Sequence, residues 1–248
     1  MNQTQFKHAC TIISDFIVKH KNTTYNTKLN VYPQPGDLTS KLESLKFREK
    51  ARNFDEIFKH FLNIIYPNTL NWQHPLFLGY FPSCNSYPSI LGELLSAGLG
   101  TIGLAWKSCP ALTELELFCI NELINLMQLP FASGNILSSS SESIIISMIT
   151  AIHSAKTDRS QLVVYASDLA HSCVYKAASI LQLKIKNIPV VKKTWQMDTN
   201  ILKQRICEDL QHSLVPLYVC ASFGTTSLCS TDNLEEIGKI CHEYNMYM

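Results

Sequence analysis

The chain has 248 residues, of which 46% are hydrophobic and 17% are charged, and its formal net charge is +1. A chain of this size and composition can bury a sizeable core, which excludes a largely disordered protein. The near-neutral charge, without a long basic run, gives no electrostatic footprint for nucleic acid or for an anionic membrane surface, and leaves small polar or zwitterionic partners open.

Two amphipathic helices are predicted near the start of the chain. Residues 4–20 and 53–66 each place apolar side chains at helical spacing on one stripe. Between them, Pro33 and Pro35 disfavour helix in the residues before them and predict an extended link. Two helices bury too little apolar surface to fold alone, so we expect their apolar stripes to pack against another part of the protein or against a partner.

The cysteines and the first residues predict a cytoplasmic protein. Charged residues such as Lys7 and Asp15 interrupt the apolar residues where a secretory signal would need an unbroken run. No stretch reaches transmembrane length. The nine cysteines lack C-x-x-C spacing, so we expect reduced thiols, with no disulfide frame and no metal site.

Further helices are predicted at residues 87–97 and 110–128, and the pattern then changes to an alternation of strands and helices. The predicted strands are residues 162–165, 184–190 and 217–222, and the predicted helices are residues 139–153, 171–181, 198–210 and 232–244. This alternation is typical of a parallel α/β sheet. The sequence reaches Met248 where the alternation calls for another strand, so we expect a missing C-terminal part.

The run Ser138-Ser139-Ser140-Ser141-Glu142 precedes an apolar helix. With Ser139 as N-cap, Glu142 stands at the third helical position, which predicts a capping box. Hydroxyls and free amides at a helix N-terminus suit an anion, and a phosphate of roughly two negative charges is the natural occupant. A plain capped helix is the alternative.

Gly98, Gly100 and Gly103 satisfy G-x-G-x-x-G literally, which would indicate a dinucleotide site. That motif should follow a strand and open a helix, whereas this one follows a predicted helix. We therefore expect these glycines to serve turns and close packing.

Two loops follow predicted strands and carry polar groups. His171 comes after the first strand, and Ser222 stands at the carboxyl end of the third. Ligands of parallel α/β sheets bind at the carboxyl ends of the strands, so we expect both loops and the start of the serine-capped helix to meet in one crevice.

Several motifs together resemble the group II pyridoxal-phosphate-dependent decarboxylases, the family of the aromatic-L-amino-acid, tyrosine and histidine decarboxylases. The motifs occur in family order at residues 72–75 (Trp-Gln-His-Pro), 80–83 (Tyr-Phe-Pro-Ser), 85–89, 108–116, 139–142, 166–172 and 224–227. Any one of them would be weak, but their co-occurrence is a strong signal.

The resemblance implies roles for particular residues, with pyridoxal 5'-phosphate (PLP) as cofactor. Ser139, Ser140 and Ser141 fall where the family holds the cofactor phosphate. His171 falls where an imidazole stacks on the pyridine ring, and Ser222 falls where a threonine approaches the ring from the other side. The implied substrate-binding residues are Trp72, Tyr80, Phe81, Pro82, Ser83, Ile102 and Leu104.

The resemblance also implies an α/β fold, the PLP-dependent transferase fold type I (aspartate-aminotransferase-like), with a mainly parallel sheet. Residues 1–75 then form an N-terminal helical segment that clasps a second protomer, so that a homodimer forms through residues 1–120. Residues 76–248 form a partial PLP-binding large domain. The remainder of that domain and the small C-terminal domain are expected to be absent.

The implied reaction is decarboxylation of an aromatic L-amino acid (dopa, tyrosine or tryptophan) to the amine and carbon dioxide. The family takes its Schiff-base lysine from a Pro-His-Lys segment and its ring-nitrogen partner from a His-Val-Asp-Ala-Ala strand, and neither motif occurs here. We therefore predict that the chain alone is inactive. The alternatives are a histidine decarboxylase-like enzyme and a non-catalytic dimerisation partner of a full-length decarboxylase.

Overall fold

The computed structural model describes residues 1–26, 29, 33–43, 45, 51–81, 85–130 and 133–248. The chain divides into two units, Met1–Cys84 and Asn85–Met248. The domain boundary after residue 75 stays a prediction. Within the described ranges, no helix combines the length and the apolar character needed to cross a membrane.

The first unit is helical. Helix α1 (Gln3–Asn22) begins at Asn2, whose side chain forms a capping box with Gln5. Helix α2 (Thr39–Glu43) is short, and α3 (Phe54–His60) continues through a π-helical turn (Phe61–Ile65) into a 3-10 turn (Tyr66–Asn68). The helices predicted at residues 4–20 and 53–66 are therefore confirmed.

An aromatic cluster joins α1 to α3 and to the turns that follow α3. The Phe16 ring lies edge-on to the rings of Phe58, Phe61 and Tyr66, with centroid distances of 5.7, 5.6 and 5.0 Å. Nδ1 of His20 lies 3.0 Å from the Tyr66 hydroxyl. Phe6 and Ile57 nevertheless remain exposed, so part of each apolar stripe is uncovered within the unit.

The second unit opens with two helices, α4 (Tyr87–Leu99) and α5 (Pro110–Met127). Gly100 terminates α4 in the left-handed conformation, at a φ of 59°. A Cβ on Gly103 would meet the side chain of Leu112 at 3.5 Å. The glycine motif therefore ends a helix, follows no strand and serves a turn at Gly100, as predicted. The predicted close packing is wrong, because a Cβ would meet nothing within 4 Å at Gly98 or Gly100 and only an ordinary contact at Gly103.

A parallel sheet forms the rest of the second unit. Its strands are β1 (Leu162–Ser167), β2 (Lys184–Ile188) and β3 (Val215–Cys220), in the order β2-β1-β3. The helices between and around them are α6 (Ser140–Ala155), α7 (Ser172–Ile180), α8 (Thr199–Gln211) and α9 (Leu234–Glu243). The predicted parallel α/β arrangement is confirmed.

The sheet is covered on both faces. Leu162, Val164 and Ala166 of β1 pack with residues of α6 and α7, whereas Val163 and Tyr165 pack with residues of α8 and α9. All six residues of β1 are buried. A strand buried on both faces is expected to be apolar throughout, which explains why this one lacks polar alternation.

One buried polar group fixes α8 to the sheet. The Tyr165 hydroxyl donates to Oδ2 of Asp209 at 2.7 Å, and the Lys186 ammonium pairs with the same carboxylate. Because Asp209 is only 1% exposed, its charge needs both partners.

The residue Tyr247 lies beside β3 in a parallel bridge. Its carbonyl accepts from the Val219 amide at 2.8 Å, and its amide donates to the Leu217 carbonyl at 2.9 Å. Tyr247 therefore pairs with β3 through an isolated bridge, at the place where the alternation predicts a further strand.

Candidate functional site

A cleft of about 550 Å³ opens at the carboxyl ends of β1 and β3. It is lined by Ser140, Leu169, His171 and residues 221–227. The carboxyl edge of a parallel sheet is where α/β proteins bind ligands, because loops and helix N-termini converge there. The structure therefore brings Ser140, His171 and Ser222 to one place.

The N-terminus of α6 supplies one wall of the cleft. The Ser139 hydroxyl caps the helix by accepting from the Glu142 amide at 3.3 Å. Among the described residues, nothing bonds to the Ser140 hydroxyl, and the amides of Ser140 and Ser141 have no acceptor. Ser139 and Ser141 flank Ser140 but do not line the cleft.

The predicted capping box is only half formed. The Glu142 carboxylate accepts from the amide of Ser138 at 3.0 Å and from the hydroxyl of the same residue, not from the Ser139 amide. Ser138 donates both its amide and its hydroxyl to the Glu142 carboxylate, whereas in a capping box Ser139 would donate its amide alone. The carboxylate therefore bonds to the residue before the N-cap. These two hydrogen bonds also lower the pKa of Glu142 below its ordinary value.

His171 has a structural role that the sequence did not predict. Its Nδ1 atom caps α7 by accepting from the Cys173 amide at 3.2 Å. In the neutral ring, the proton therefore sits on Nε2. Histidine is not among the favoured N-cap residues, so the sequence carried no signal for this bond.

A single loop provides most of the cleft lining. Residues 221–227 leave β3, and the chain folds back so that Phe223 bridges Thr231 in antiparallel fashion. The amides of Gly224 and Thr225 both donate to the Ser230 carbonyl at 3.0 Å. Gly224 has a φ of 79°, which suits glycine and explains its place in the turn.

Asp232 is a site residue that the sequence reasoning missed. The predicted helix 232–244 included it, but α9 begins at Leu234 and Asp232 lies before the cap residue Asn233. Its buried carboxylate accepts from the amides of Ser222 and Met197, each at 2.7 Å. An aspartate just before a helix resembles an ordinary cap, so only the fold shows these partners.

Cys220, the last residue of β3, is half-buried where the cleft loop begins. Burial raises its pKa to about 11, with smaller contributions from Cys173 and from the Asp232 carboxylate. Cys220 is therefore a neutral thiol, unsuited to nucleophilic work.

The predicted substrate-binding residues fall into two groups. Trp72 and Tyr80 belong to the first unit, where Trp72 stacks on Phe77 and on Tyr80 at centroid distances of 5.2 and 5.3 Å. Tyr80 adopts a φ of 56°, a left-handed conformation that is uncommon for an aromatic residue. Phe81, in the same unit, is exposed.

Two predicted substrate residues of the second unit, Ile102 and Leu104, do not line the cleft. Ile102 and Leu104 lie between α4 and α5, and both side chains are exposed. Pro82 and Ser83 lie outside the described residues. The substrate roles of this group stay predictions.

Comparison with known proteins gives a consistent result. The family model described as "Pyridoxal-dependent decarboxylase conserved domain" matches residues 35–248. The histidine decarboxylase of Rattus norvegicus is 34% identical over 94% of this chain and 39% of its own length. The aromatic-L-amino-acid decarboxylase of Sus scrofa is 36% identical over 88% of this chain and 49% of its own length.

The solved structures show the same likeness. The tryptophan decarboxylase of Catharanthus roseus, in complex with L-tryptophan, superposes with a TM-score of 0.88 at 28% identity, covering 99% of this chain and 56% of that one. The chain thus spans between about two fifths and just over half of these similar proteins.

Proposed function

Because the chain belongs to the pyridoxal-dependent decarboxylase family, we propose that it provides the cofactor-binding part of an enzyme that removes carbon dioxide from an aromatic L-amino acid. The family cofactor is PLP. The substrates we propose are dopa, tyrosine or tryptophan. The observation that carries the proposal is the convergence of Ser140, His171 and Ser222 on one cleft at the carboxyl edge of a parallel sheet.

The residues of the cleft fit a phosphorylated pyridine. The amides of Ser140 and Ser141 and the hydroxyl of Ser140 have no acceptor or partner among the described residues, so they are free to receive the phosphate. The α6 dipole favours the same negative charge. Ser139 contributes indirectly, because its hydroxyl keeps the first turn of α6 closed.

Two side chains would flank the ring of the bound cofactor. His171 presents its imidazole to the cleft while its Nδ1 atom is held by the Cys173 amide, so the ring orientation is fixed before any ligand arrives. Ser222 presents a small side chain from the opposite loop. When bound, the cofactor supplies the electron-accepting ring that loss of carbon dioxide requires.

We also propose that these 248 residues do not decarboxylate amino acids by themselves. They contain neither a Pro-His-Lys segment nor a His-Val-Asp-Ala-Ala strand. Lys239, the last lysine, lies on α9, where its ammonium pairs with Glu235 at 2.6 Å, and it does not line the cleft. The chain is therefore expected to hold PLP by non-covalent contacts.

Titration of the purified chain with PLP tests the proposal. Free PLP is achiral, so a saturable circular dichroism band in its visible absorption reports a fixed site. Pyridoxal, which lacks the phosphate, should bind far more weakly. Borohydride reduction followed by peptide mapping should find no single modified lysine.

The outcomes separate the two parts of the proposal. If PLP gives no saturable signal, the cofactor site is wrong. If the chain releases carbon dioxide from dopa, tyrosine, tryptophan or histidine in the presence of PLP, the proposed inactivity is wrong.

The preference for an aromatic substrate is supported by the stacked rings of Trp72, Phe77 and Tyr80. Flat rings of this kind favour a flat apolar side chain. A histidine decarboxylase-like activity is the alternative within the family. Saturation-transfer NMR with equal concentrations of L-tryptophan and L-histidine should favour tryptophan, and Tyr80→Ala should remove that preference if the stack is responsible.

A second candidate function is that of a non-catalytic partner of a full-length decarboxylase subunit. The observation that favours it is the exposure of many large apolar side chains on α4 and α5. These are Leu91, Leu94, Leu95, Leu99, Leu115, Leu117, Phe118, Leu123, Leu126 and Met127. Apolar surface of this extent usually marks an interface.

The family resemblance makes a second protomer the expected occupant, through residues 1–120. Co-expression with a full-length aromatic-L-amino-acid decarboxylase, followed by size exclusion, tests the pairing. Separate elution of the two chains would rule it out. The proposal places the protein in the cytoplasm, in keeping with the described cysteines, which are all free thiols.

A further inference from the structure

The cleft depends on one loop, and that loop is closed at its base. Ser222 and Asp232 face each other there: the Asp232 amide donates to the Ser222 carbonyl at 2.9 Å, and the Ser222 amide donates to Oδ2 of Asp232 at 2.7 Å. Inside the loop, the Thr225 and Ser230 hydroxyls lie 2.8 Å apart. The loop residues that line the cleft, 222–227, therefore lie within a segment closed by hydrogen bonds.

Asp232 also ties this base to a second segment. Its Oδ1 atom accepts from the Met197 amide at 2.7 Å, just before α8. The neighbouring Gln196 side chain donates to the Thr231 carbonyl at 2.7 Å. One carboxylate thus sets the spacing between the end of β3 and the entry to α8.

The carboxylate is only 4% exposed, and no lysine or arginine within the described ranges pairs with it. Its charge is satisfied by backbone amides alone. Hydrogen bonds from amides to a buried carboxylate are stronger than neutral ones, because the acceptor carries the full charge. They fix the direction of each donating amide, and hence of the residue that bears it.

We propose that Asp232 is a positioning residue for cofactor binding: by holding the Ser222 amide it sets the loop wall of the cleft that His171 also lines. The inference rests on the proposed function for the identity of the ligand. The loop geometry on which it is built does not depend on the ligand.

Replacement of Asp232 by Asn gives a nearly isosteric test. The amide group of Asn has one acceptor oxygen, so its NH₂ would face the N–H of either Ser222 or Met197. One of these two amides loses its acceptor, and the loop base loosens. Asp209→Asn is the matched control, because Asp209 is also a buried aspartate (1% exposed) whose partners, Tyr165 and Lys186, do not line the cleft.

Two measurements on the full 248-residue chain decide the matter. Amide hydrogen exchange should rise about tenfold or more in peptides covering residues 217–231 of the Asp232→Asn variant, and PLP affinity should fall by about tenfold. Asp209→Asn should lower the thermal midpoint while leaving exchange in that peptide and PLP affinity as in the parent chain.

The proposal is overturned if residues 217–231 of the Asp232→Asn variant exchange as slowly as in the parent chain. It is also overturned if Asp209→Asn lowers PLP affinity as much as Asp232→Asn does. If the parent chain binds no PLP, the proposed function fails while the exchange comparison still tests the role of Asp232. Should Asp232→Asn not fold, Asp232→Ser takes its place, because a hydroxyl can accept from one of the two amides without facing the other with an NH₂ group. The same outcomes then apply.

Discussion

The sheet region and the helical regions of this protein bury their apolar side chains to very different degrees. In the second unit, β1 is buried along its whole length and has helices on both sides. In the first unit, the buried residues among those described are Ala9, Thr24 and Asn71. Helix α4, which opens the second unit, has no buried residue. The sheet therefore supplies its own core, whereas the helices retain apolar faces that need another surface.

The largest expected effect on the free energy of unfolding comes from truncating a buried leucine of the sheet region, compared with an exposed leucine of α4. Leu202 on α8 is fully buried, so Leu202→Ala should lower the free energy of unfolding by about 2–5 kcal/mol. Leu95 on α4 is 65% exposed, so Leu95→Ala should change it by less than about 0.5 kcal/mol. Urea denaturation followed by circular dichroism measures both, and equal losses would contradict the comparison.

Alkaline pH should weaken the sheet region. Burial raises the pKa of the Cys220 thiol from 9.0 to about 11, and burial does the same for Cys241. Since the folded state keeps these protons longer than the unfolded chain, their contribution to stability is present below pH 9 and is lost as the pH rises towards 11.

Thermal midpoints measured from pH 8 to pH 11 check this expectation. The Cys220→Ala variant should show a shallower decline than the parent chain. An identical slope in both proteins would show that this thiol does not contribute.

Substitutions of His171 should have a smaller effect on stability, and two of them separate folding stability from PLP binding. His171→Ala removes both the α7 cap and the imidazole, so it should cost about 1 kcal/mol of stability and weaken PLP binding. His171→Asn keeps a good cap and should retain the parent stability while still weakening PLP binding. If both variants bind PLP as the parent does, the ring of His171 does not contact the cofactor.

The smallest change in folding stability is expected on the exposed helices. Leu126 is 80% exposed, so Leu126→Glu should alter the free energy of unfolding by less than about 0.5 kcal/mol. It should nevertheless reduce self-association in sedimentation equilibrium, because a charge is placed on the apolar face of α5. Lys176→Glu on the exposed side of α7 is the control, and an equal effect of the control would argue against a specific interface.

The fold was predictable where local patterns decide it. Apolar spacing predicted the helices and strands of both units, because burial follows those periods directly. Helix α2 escaped prediction because five residues cannot show a helical period. The structure shows in addition that β1 is covered on both faces, which accounts for its apolar run.

The candidate site was predictable only in part. Ser140, His171 and Ser222 stand at element ends, and the topology of a parallel sheet brings such ends together. Asp232 could not be found in this way, because its partners Ser222 and Met197 lie 10 and 35 residues away in sequence. The Tyr165–Asp209 bond, which spans 44 residues, was missed for the same physical reason.

The closed base of the cleft loop has a consequence for how this protein can change. The chain leaves the sheet after Cys220 and reaches α9 after Asp232, and paired hydrogen bonds between Ser222 and Asp232 close the loop that lies between them. We therefore expect side-chain substitutions at Thr226, Ser227 and Leu228 to be absorbed within the loop, whereas Gly224 is needed for the turn and Thr225, Ser230 and Thr231 for its hydrogen bonds. Because Thr226 and Ser227 line the cleft, we expect ligand preference to change at these positions while β3 and α9 keep their places.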